Sequence, residues 1–252
     1  MRILGPLFFV GVVLSQLSGQ APKKPASLSD AIKAISPSVV QITYVMDQFP
    51  DETRRALNTP FFAGAAGTGF IVNDEGYVIT ALPVLSTFDN FPGFKAQGRI
   101  YPSGRNRLLI GLAMPNLESS HLTIRVSFTE VSFTVTDRDT IHDLALLRPD
   151  LPLFVVRPKN HVAVLSIGRP EDGEQVAVSG YPLAKTVLVS TSGAVASSWA
   201  YEYFQRPVPG SPGFWLPDTR DIFLVDLHVN HGNSGGPVYS VETSAVIGMC
   251  DA

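Results

Sequence analysis

Short apolar segments, each bounded by turn-forming residues, recur along most of this chain. They are rich in β-branched and aromatic residues, and turn signals such as residues 73–76 (NDEG) separate them. No long helical patterns alternate with them, which argues against the parallel sheet of an α/β protein. The pattern predicts an all-β protein built as a barrel or a sandwich. The predicted strands are residues 39–45, 67–72, 76–82, 122–128, 131–136, 143–149, 175–181, 186–197, 222–229 and 244–249.

The first part of the chain has a different pattern. Apolar residues recur at helical spacing over residues 28–35 behind Ser27, which predicts one short helix. Before it, Arg2 and an uncharged, mostly apolar run over residues 3–14 are typical of a secretory signal, predicted over residues 1–20. The run is shorter than the roughly 20 residues that span a bilayer. We therefore expect an exported protein, periplasmic or extracellular, with a membrane anchor through an uncleaved signal segment as the alternative.

Two stretches interrupt the succession of strands. Residues 86–120 are rich in Phe, Pro, Gly and Arg, and residues 205–218 contain four prolines beside Phe214 and Trp215. Both are predicted to be surface loops, and the sharper alternative is that they shape a cleft or contact a partner. The chain as a whole has 21 glycines and 20 prolines, which agrees with many turns between short elements.

Composition and charge exclude several classes of function. The formal net charge is −3 and no basic block occurs, so nucleic acid is not an expected partner. The single cysteine, Cys250, cannot form an intrachain disulfide. No Cys/His cluster has the spacing of zinc ligands, so neither a metal nor another cofactor is expected.

The most informative string is HGNSGGPV at residues 231–238. Three glycines around Ser234 favour a turn in which the backbone approaches a substrate closely and presents N–H groups to a developing negative charge. A serine used as a nucleophile also needs a base to take its proton and an acid to orient that base. The alternative, a glycine-rich hairpin with an incidental serine, explains less of the string.

Several further motifs occur together with this string, in a consistent order from about residue 34 to residue 248. They are SPSVVQI from Ser36, GTGFIVNDEGYVIT from Gly67, HDLALLR from His142, VSGYPL followed by TSGAVAS, and DLHVNHGNSGGPV from Asp226. In these motifs the chain resembles the trypsin-like serine proteases, and within them the HtrA type of bacterial exported proteases.

The resemblance implies two six-stranded antiparallel barrels with a cleft between them. Residues 21–156 would hold the N-terminal helix and the first barrel, and residues 157–252 the second barrel with the serine loop. The family continues past the strand at residues 244–249 with a further strand, so the second barrel is expected to be either complete or without its last strand. A missing strand would leave an exposed edge, which could reflect a truncated reading frame, a fragment, or a strand supplied by another chain.

The resemblance also implies roles for individual residues. Ser234 would be the nucleophile, and the N–H groups of Gly232 and Ser234 would form the oxyanion hole. Asp143 would be the acid that orients a histidine. His228, Ser192 and Gly193 would line the substrate pocket.

The histidine base is the departure from the family. The stretch that matches the strand end and short helix carrying it is residues 79–85, and Pro83 stands where the base should be. Proline has no ionisable group and cannot take a proton from Ser234. His142 adjoins Asp143, but neighbours on a strand point to opposite faces, so we expect His142 to face away from the site. Of the other four histidines, His121 is an alternative base, whereas His161, His228 and His231 are expected to be loop or pocket-wall residues.

Two functional hypotheses follow. The first is a pseudoprotease that binds peptides or unfolded proteins through a trypsin-like fold without efficient cleavage. The second is an active serine endopeptidase whose base comes from a non-standard position, such as His121, or from a partner chain. An unrelated β fold or a non-functional fragment is the remaining alternative. A homo-oligomer is a further expectation, with the apolar pair Phe61-Phe62 as its candidate contact.

Overall fold

The structure, a computed structural model, describes residues 27–58, 62–89, 94–96, 99–101, 105–112, 129–150, 162–184, 187–207, 213 and 215–251. The predicted signal over residues 1–20, the predicted strand at residues 122–128, and both His121 and His161 lie outside these ranges. The predicted domain boundary at residue 157 and Phe61 lie outside them too. In the described part of the chain, no helix has both the length and the apolar character to cross a membrane.

The first barrel is closed and has six antiparallel strands in the order β1-β2-β3-β8-β7-β6. Helix α1 (Leu28–Ile35) precedes it, capped by Ser27, whose side chain accepts a hydrogen bond from the Asp30 N–H. Helix α2 (Asp51–Leu57) follows β1, and helix α3 (Leu82–Asp89) follows β3 directly. The strands up to the end of this barrel are β1 (Val39–Asp47), β2 (Phe62–Ile71), β3 (Val78–Ala81), β4 (Phe94–Ala96), β5 (Arg99–Tyr101), β6 (Arg105–Leu112), β7 (Thr129–Asp139) and β8 (Leu144–Pro149); β4 and β5 form a separate hairpin.

The second sheet is open and has five antiparallel strands in the order β11-β10-β9-β12-β13. Its strands are β9 (Gln175–Gly180), β10 (Val189–Pro207), β11 (Trp215–Asp226), β12 (Pro237–Ser240) and β13 (Val246–Met249). The prediction of an all-β protein with two trypsin-like barrels is confirmed, and of the two alternatives for the second barrel the described residues show the one without a last strand.

Several elements differ from the sequence-based expectation. Residues 86–120, predicted to be a surface loop, contribute β6, which pairs with both β1 and β7 and closes the first barrel. Residues 205–218 carry the end of β10 and the start of β11, because the hairpin of these two strands extends well beyond the predicted segments. Pro217 is tolerated in β11 because β11 is an edge strand. No described strand lies on its open side, so the N–H that proline lacks is not needed for a hydrogen bond there.

The apolar core of the described residues has one cluster inside each barrel, one between them, and a small fourth cluster around Met46 and Phe49. Val40, Ile42 and Leu147 belong to the cluster of the first barrel, and Val178 and Val238 to that of the second. The third cluster joins α1, β2, β9, β12 and β13 through the buried side chains Ile35, Phe70, Ala177, Tyr239 and Val246. Burial of these side chains fixes the two sheets against each other, and the serine string lies at this seam.

Candidate active site

The serine string forms a tight turn that leads into β12. Gly232 and Gly235 adopt left-handed backbone conformations, with φ of +100° and +84°. A Cβ atom at Gly235 would lie 2.1 Å from the carbonyl oxygen of Thr68, so only glycine fits at this position. Ser234 between them is buried. The predicted role of the glycines in shaping the turn thus agrees with the geometry.

The orientation of the peptide before Gly232 is fixed by the second barrel. The carbonyl oxygen of His231 accepts a hydrogen bond of 2.7 Å from the Leu183 N–H. In a trans peptide the C=O and the N–H point in opposite directions, so the Gly232 N–H points away from Leu183. This is one of the two N–H groups predicted to form an oxyanion hole.

Thr68 of the first barrel holds the serine turn through both its backbone and its side chain. Its N–H donates to the carbonyl oxygen of Ser234 over 3.0 Å, and its hydroxyl donates to the carbonyl oxygen of Gly232 over 2.6 Å. The same hydroxyl accepts a hydrogen bond of 2.9 Å from the Tyr181 N–H. Thr80 completes the arrangement by donating to the Thr68 carbonyl oxygen over 2.7 Å. A single buried threonine therefore ties the serine turn to strands of both sheets.

The serine turn packs against the junction of β3 and α3, which contains Pro83. A Cβ atom at Gly67 would lie 2.6 Å from Cγ2 of Val84 and 3.0 Å from the Ser234 carbonyl oxygen, so these two groups lie close together. A Cβ atom at Gly235 would lie 3.0 Å from the Ala81 nitrogen. Pro83 lies between Ala81 and Val84, in the first turn of α3, where proline is well accommodated.

Asp143 lies at the same junction. It ends the turn before β8, with a left-handed backbone conformation (φ +60°) that is uncommon for a residue other than glycine. Its carbonyl oxygen accepts a hydrogen bond of 3.1 Å from the Leu82 N–H, the residue that begins α3. The structure therefore brings Asp143, Pro83 and the serine turn to one place, as the resemblance implies.

The carboxylate of Asp143 faces a cation from the second sheet. Arg220 on β11 has its Nη1 atom 3.7 Å from Oδ2 of Asp143, and both side chains are largely buried. At this distance the pair is ionic without a hydrogen bond, and Oδ2 is a buried atom that accepts none among the described residues. Two more carboxylates contact the Arg220 guanidinium, Glu202 at 2.6 Å and Asp251 at 2.9 Å.

This arrangement changes the proton affinity of the acid. Burial raises the pKa of Asp143, and the negative charges of Asp251 and Glu202 raise it further, while Arg220 lowers it; the net direction is upward. A carboxylate that orients a base must be ionised at the working pH. Arg220 favours the ionised form of Asp143, whereas burial, Asp251 and Glu202 favour the protonated form.

Two of the three predicted substrate-pocket residues are neighbours in the second sheet, and the third lies in a loop. Ser192 and Gly193 are on β10, where they pair with Ala177 and Val176 of β9. A Cβ atom at Gly193 would lie 1.8 Å from the carbonyl oxygen of Asp226, and His228 follows in an exposed loop two residues later. The close approach at Gly193 brings the start of the serine string, from Asp226 onward, against β10.

The reason given for the expected orientation of His142 does not hold. His142 lies in the turn of residues 140–143, before β8 begins, so the alternation of a strand does not apply to it and Asp143. Both residues border the same cleft. The Nδ1 atom of His142 is 2.6 Å from Oδ2 of Asp139, which makes an exposed His–Asp pair. His228 and His231 are exposed, as expected of loop residues.

Thr68 and Arg220 are the site residues that sequence reasoning missed. Thr68 stands inside the GTGFIV motif, and a polar residue within an apolar strand was the available signal for a buried hydrogen-bonding role. Arg220 stands just before a predicted strand, and no local signal connects it to Asp143.

A closed antiparallel barrel beside an open antiparallel sheet, with a glycine-rich serine turn held at the seam, defines the two-barrel class of serine peptidase fold. Comparison with family profiles agrees: residues 67–249 match the trypsin-like peptidase domain. The chain belongs to this family.

Its relatives include HtrA serine proteases. The chain is 26% identical to serine protease HTRA1A of Danio rerio over 226 residues, which cover 88% of this chain and 36% of that protein. It is 27% identical to serine protease HTRA3 of Homo sapiens over 225 residues, which cover 88% of this chain and 39% of that protein. The chain thus spans less than two fifths of the length of these relatives.

Solved structures show the same fold. The HtrA-type protease AlgW in complex with a decapeptide superposes with a TM-score of 0.55 at 18% identity, covering 90% of this chain and 59% of that one. Deg5 superposes with a TM-score of 0.54 at 18% identity, covering 89% of this chain and 83% of that one.

Proposed function

We propose that this chain is an exported, HtrA-type pseudoprotease that binds peptides or unfolded proteins and hydrolyses peptide bonds poorly or not at all. The observation that carries the proposal is the composition of the junction beside Asp143. The nucleophile Ser234 and the acid Asp143 are present, but the position of the base is filled by Pro83 at the start of α3.

The surroundings of Asp143 support a lost triad. Its carboxylate faces Arg220, a permanent cation that donates protons to hydrogen bonds but cannot accept a proton from Ser234. Among the described residues, His142 is the only histidine whose ring contacts a carboxylate, and that carboxylate belongs to Asp139. Neither Ser234 nor Pro83 borders the cleft that His142 lines.

The size of the effect makes the distinction testable. In subtilisin, a serine protease of unrelated fold, loss of the catalytic histidine alone lowers kcat by about a millionfold, roughly as much as loss of the whole triad. A kcat lowered about a millionfold would leave no useful hydrolysis of peptide bonds.

Binding can outlast catalysis because it depends on other groups. The serine turn keeps its glycines and its hydrogen bonds to Thr68, so its backbone remains shaped to approach a peptide carbonyl. AlgW, which shares the fold, is known as a complex with a decapeptide. These observations favour an extended peptide as ligand over a small molecule.

The decisive experiment is covalent labelling of the purified protein with a fluorophosphonate, which reacts only with an activated serine. We expect the wild-type chain to react no faster than Ser234→Ala. Rapid labelling of wild type that disappears in Ser234→Ala would overturn the proposal and establish an active endopeptidase.

Should wild type react, the base is then located by two matched variants. Loss of labelling in His142→Ala would assign the base to the His142–Asp139 pair, and loss in His121→Ala would assign it to His121. Export is tested separately, by cell fractionation and by sequencing the N-terminus of the mature protein for removal of residues 1–20.

A further inference from the structure

Leu183 has a backbone conformation that is unfavourable for leucine. Its φ of +54° and ψ of +38° lie in the left-handed region, inside the short helical turn Pro182–Ala184 that follows β9. In this region the Cβ atom of an L-residue comes too close to the following carbonyl oxygen, whereas glycine has no Cβ and adopts the conformation freely. Leu183 is therefore a strained residue.

The backbone of Leu183 supports the serine turn. Its N–H donates a hydrogen bond of 2.7 Å to the carbonyl oxygen of His231, which orients the peptide that carries the Gly232 N–H. Gly232 also packs against the same short turn, since a Cβ atom there would lie 2.5 Å from the Tyr181 carbonyl oxygen and 3.1 Å from the Leu183 nitrogen. A glycine at position 183 would supply the same N–H without strain, so this support does not require a leucine.

The residues before Leu183 are anchored. Tyr181 is 1% exposed, and its N–H donates to the Thr68 hydroxyl over 2.9 Å. Pro182 follows, and its ring fixes its own φ. Because this segment is held from both sides, the direction in which the Leu183 side chain leaves the turn is fixed as well.

The side chain of Leu183 has no structural contact that offsets the strain. It is 61% exposed and belongs to none of the apolar clusters of the described residues. Neither burial nor the backbone hydrogen bond explains why a leucine stands here. Strained residues that the surrounding structure maintains are concentrated at binding sites and active sites. A role in contacting a ligand accounts for both the strain and the exposure.

Leu183 also lies within reach of a peptide held by the serine turn. Standard bond lengths and the 2.7 Å hydrogen bond place the Gly232 nitrogen no more than about 5 Å from the Leu183 nitrogen. A carbonyl oxygen bound to the Gly232 N–H would lie about 3 Å beyond that nitrogen. Residues of an extended peptide follow one another at about 3.3 Å, so a side chain next to the held carbonyl comes close to Leu183.

We propose that Leu183 contacts the peptide ligand directly and selects for an apolar side chain beside the carbonyl group held by the Gly232 N–H. Contact between the two apolar side chains removes both from water, which favours binding. This inference deepens the proposed function, on which it rests, because it states which property of a peptide the serine turn recognises. Leu183 acts on binding and takes no part in proton transfer.

The experiment combines two peptides with two forms of the full chain. The probes are fluorescein-labelled decapeptides, one of alternating serine and leucine and one of alternating serine and alanine, followed by fluorescence anisotropy. We expect Leu183→Ala to bind the leucine peptide about tenfold more weakly than wild type does. The alanine peptide has no large apolar side chain to meet Leu183, so it should bind both forms within about twofold. By NMR, the amide resonance of Gly232 should shift when the leucine peptide binds to wild type.

Two further variants separate ligand contact from a structural role. Leu216→Ala is the matched control, because Leu216 on β11 is also an exposed leucine, at 50%, and its loss should leave binding of the leucine peptide unchanged. Leu183→Gly should unfold at a higher urea concentration than Leu183→Ala, since glycine adopts the left-handed backbone without strain. It should nevertheless bind the leucine peptide as weakly as Leu183→Ala, a combination that a purely structural role would not give.

Any of four results would overturn the inference. They are no saturable binding of the leucine peptide, equal weakening of both peptides in Leu183→Ala, lower stability of Leu183→Gly than of Leu183→Ala, and binding that leaves the Gly232 amide resonance unshifted. Failure of the proposed function is distinguishable. Fluorophosphonate labelling of wild type would overturn the pseudoprotease but not the comparison of peptides, which is repeated in Ser234→Ala so that hydrolysis does not consume them. Unlabelled wild type that binds both peptides equally well would refute selection by Leu183 alone.

Discussion

Arg220 on β11 lies 3.7 Å from the carboxylate of Asp143, the residue proposed as the acid of the triad. The contact joins a strand of the second sheet to a turn of the first barrel. It makes Asp143 one member of a four-residue charge cluster with Arg220, Glu202 and Asp251.

Restoring the base should restore reactivity only in part. In Pro83→His the imidazole would begin α3 beside Asp143, whose Oδ2 is buried and accepts no hydrogen bond among the described residues. We expect Pro83→His to react with the fluorophosphonate at least about tenfold faster than wild type. The double variant Pro83→His/Arg220→Met should react more slowly than Pro83→His, because without Arg220 burial and the charges of Asp251 and Glu202 favour the protonated form of Asp143.

The control for this pair is Arg220→Met alone, which should stay unreactive. Equal rates for the single and the double variant would show that Arg220 is not needed to keep Asp143 ionised. Circular dichroism of each variant checks that the loss of proline leaves α3 folded.

The charge of Asp143 should make stability depend on pH. Burial and the nearby Asp251 raise its pKa in the folded state, so the folded chain binds this proton more tightly than the unfolded chain. Its contribution to stability is therefore present below the ordinary aspartate pKa and lost as the pH rises through the raised value. We expect Asp143→Asn to gain stability over wild type as the pH is increased from about 4, measured by urea unfolding.

Asp139 provides a control in which the dependence of stability on pH should run in the opposite direction. Burial raises its pKa, but hydrogen bonds from His142 and Ile141 outweigh this and lower it. Its contribution is present above the ordinary pKa and lost as the pH falls through the lowered value, so wild type should lose its advantage over Asp139→Asn on acidification. The same trend in both variants would contradict the assignment.

Removal of the Thr68 hydroxyl should loosen the serine turn. Thr68→Val leaves the Gly232 carbonyl and the Tyr181 N–H without their buried partner, at a cost of about 2–4 kcal/mol in the free energy of unfolding. Thr68→Ser keeps the hydroxyl and should cost less. Amide hydrogen exchange should be faster at residues 231–236 in the valine variant, and unchanged exchange there would refute the role of Thr68.

Gly193 should tolerate no side chain. The Cβ atom of alanine would lie 1.8 Å from the Asp226 carbonyl oxygen, inside the β10–β11 pair, so Gly193→Ala must displace backbone. We expect a loss of about 3 kcal/mol or more. Gly168→Ala is the matched control, since its Cβ would meet only the Ser166 hydroxyl at 3.8 Å, and a change within about 0.5 kcal/mol is expected. Equal thermal midpoints would disprove the close approach.

Local patterns were sufficient for much of the fold. Strands such as β1 and β9 alternate or concentrate β-branched residues, and α1 has both its cap and its apolar face in the sequence. Strand β6 was missed because its arginines and its Phe/Pro/Gly-rich surroundings hide a barrel strand. The β10–β11 hairpin was underestimated because prolines near its tip indicate a loop, whereas the open edge of β11 accommodates Pro217.

The candidate site, like the fold, could be predicted from the sequence only in part. The turn at Ser234 follows from its glycines, because left-handed backbone conformations are a local property. The pairing of Arg220 with Asp143 follows only from how β11 folds back over the first barrel, and no spacing in the sequence encodes it. The strand alternation used to orient His142 does not apply, because β8 begins after Asp143.

The hydrogen bonds of Thr68 have a consequence for the independence of the two halves. Since the carbonyl groups of Gly232 and Ser234 bond to a residue of β2, the serine turn acquires its shape only when the two sheets are docked. Each half can bury its own core, but neither contains all the atoms that define the turn. The alignment of the sheets is thus itself a part of the site, and a change in the cluster around Ile35 and Tyr239 would alter the geometry at Ser234 from a distance.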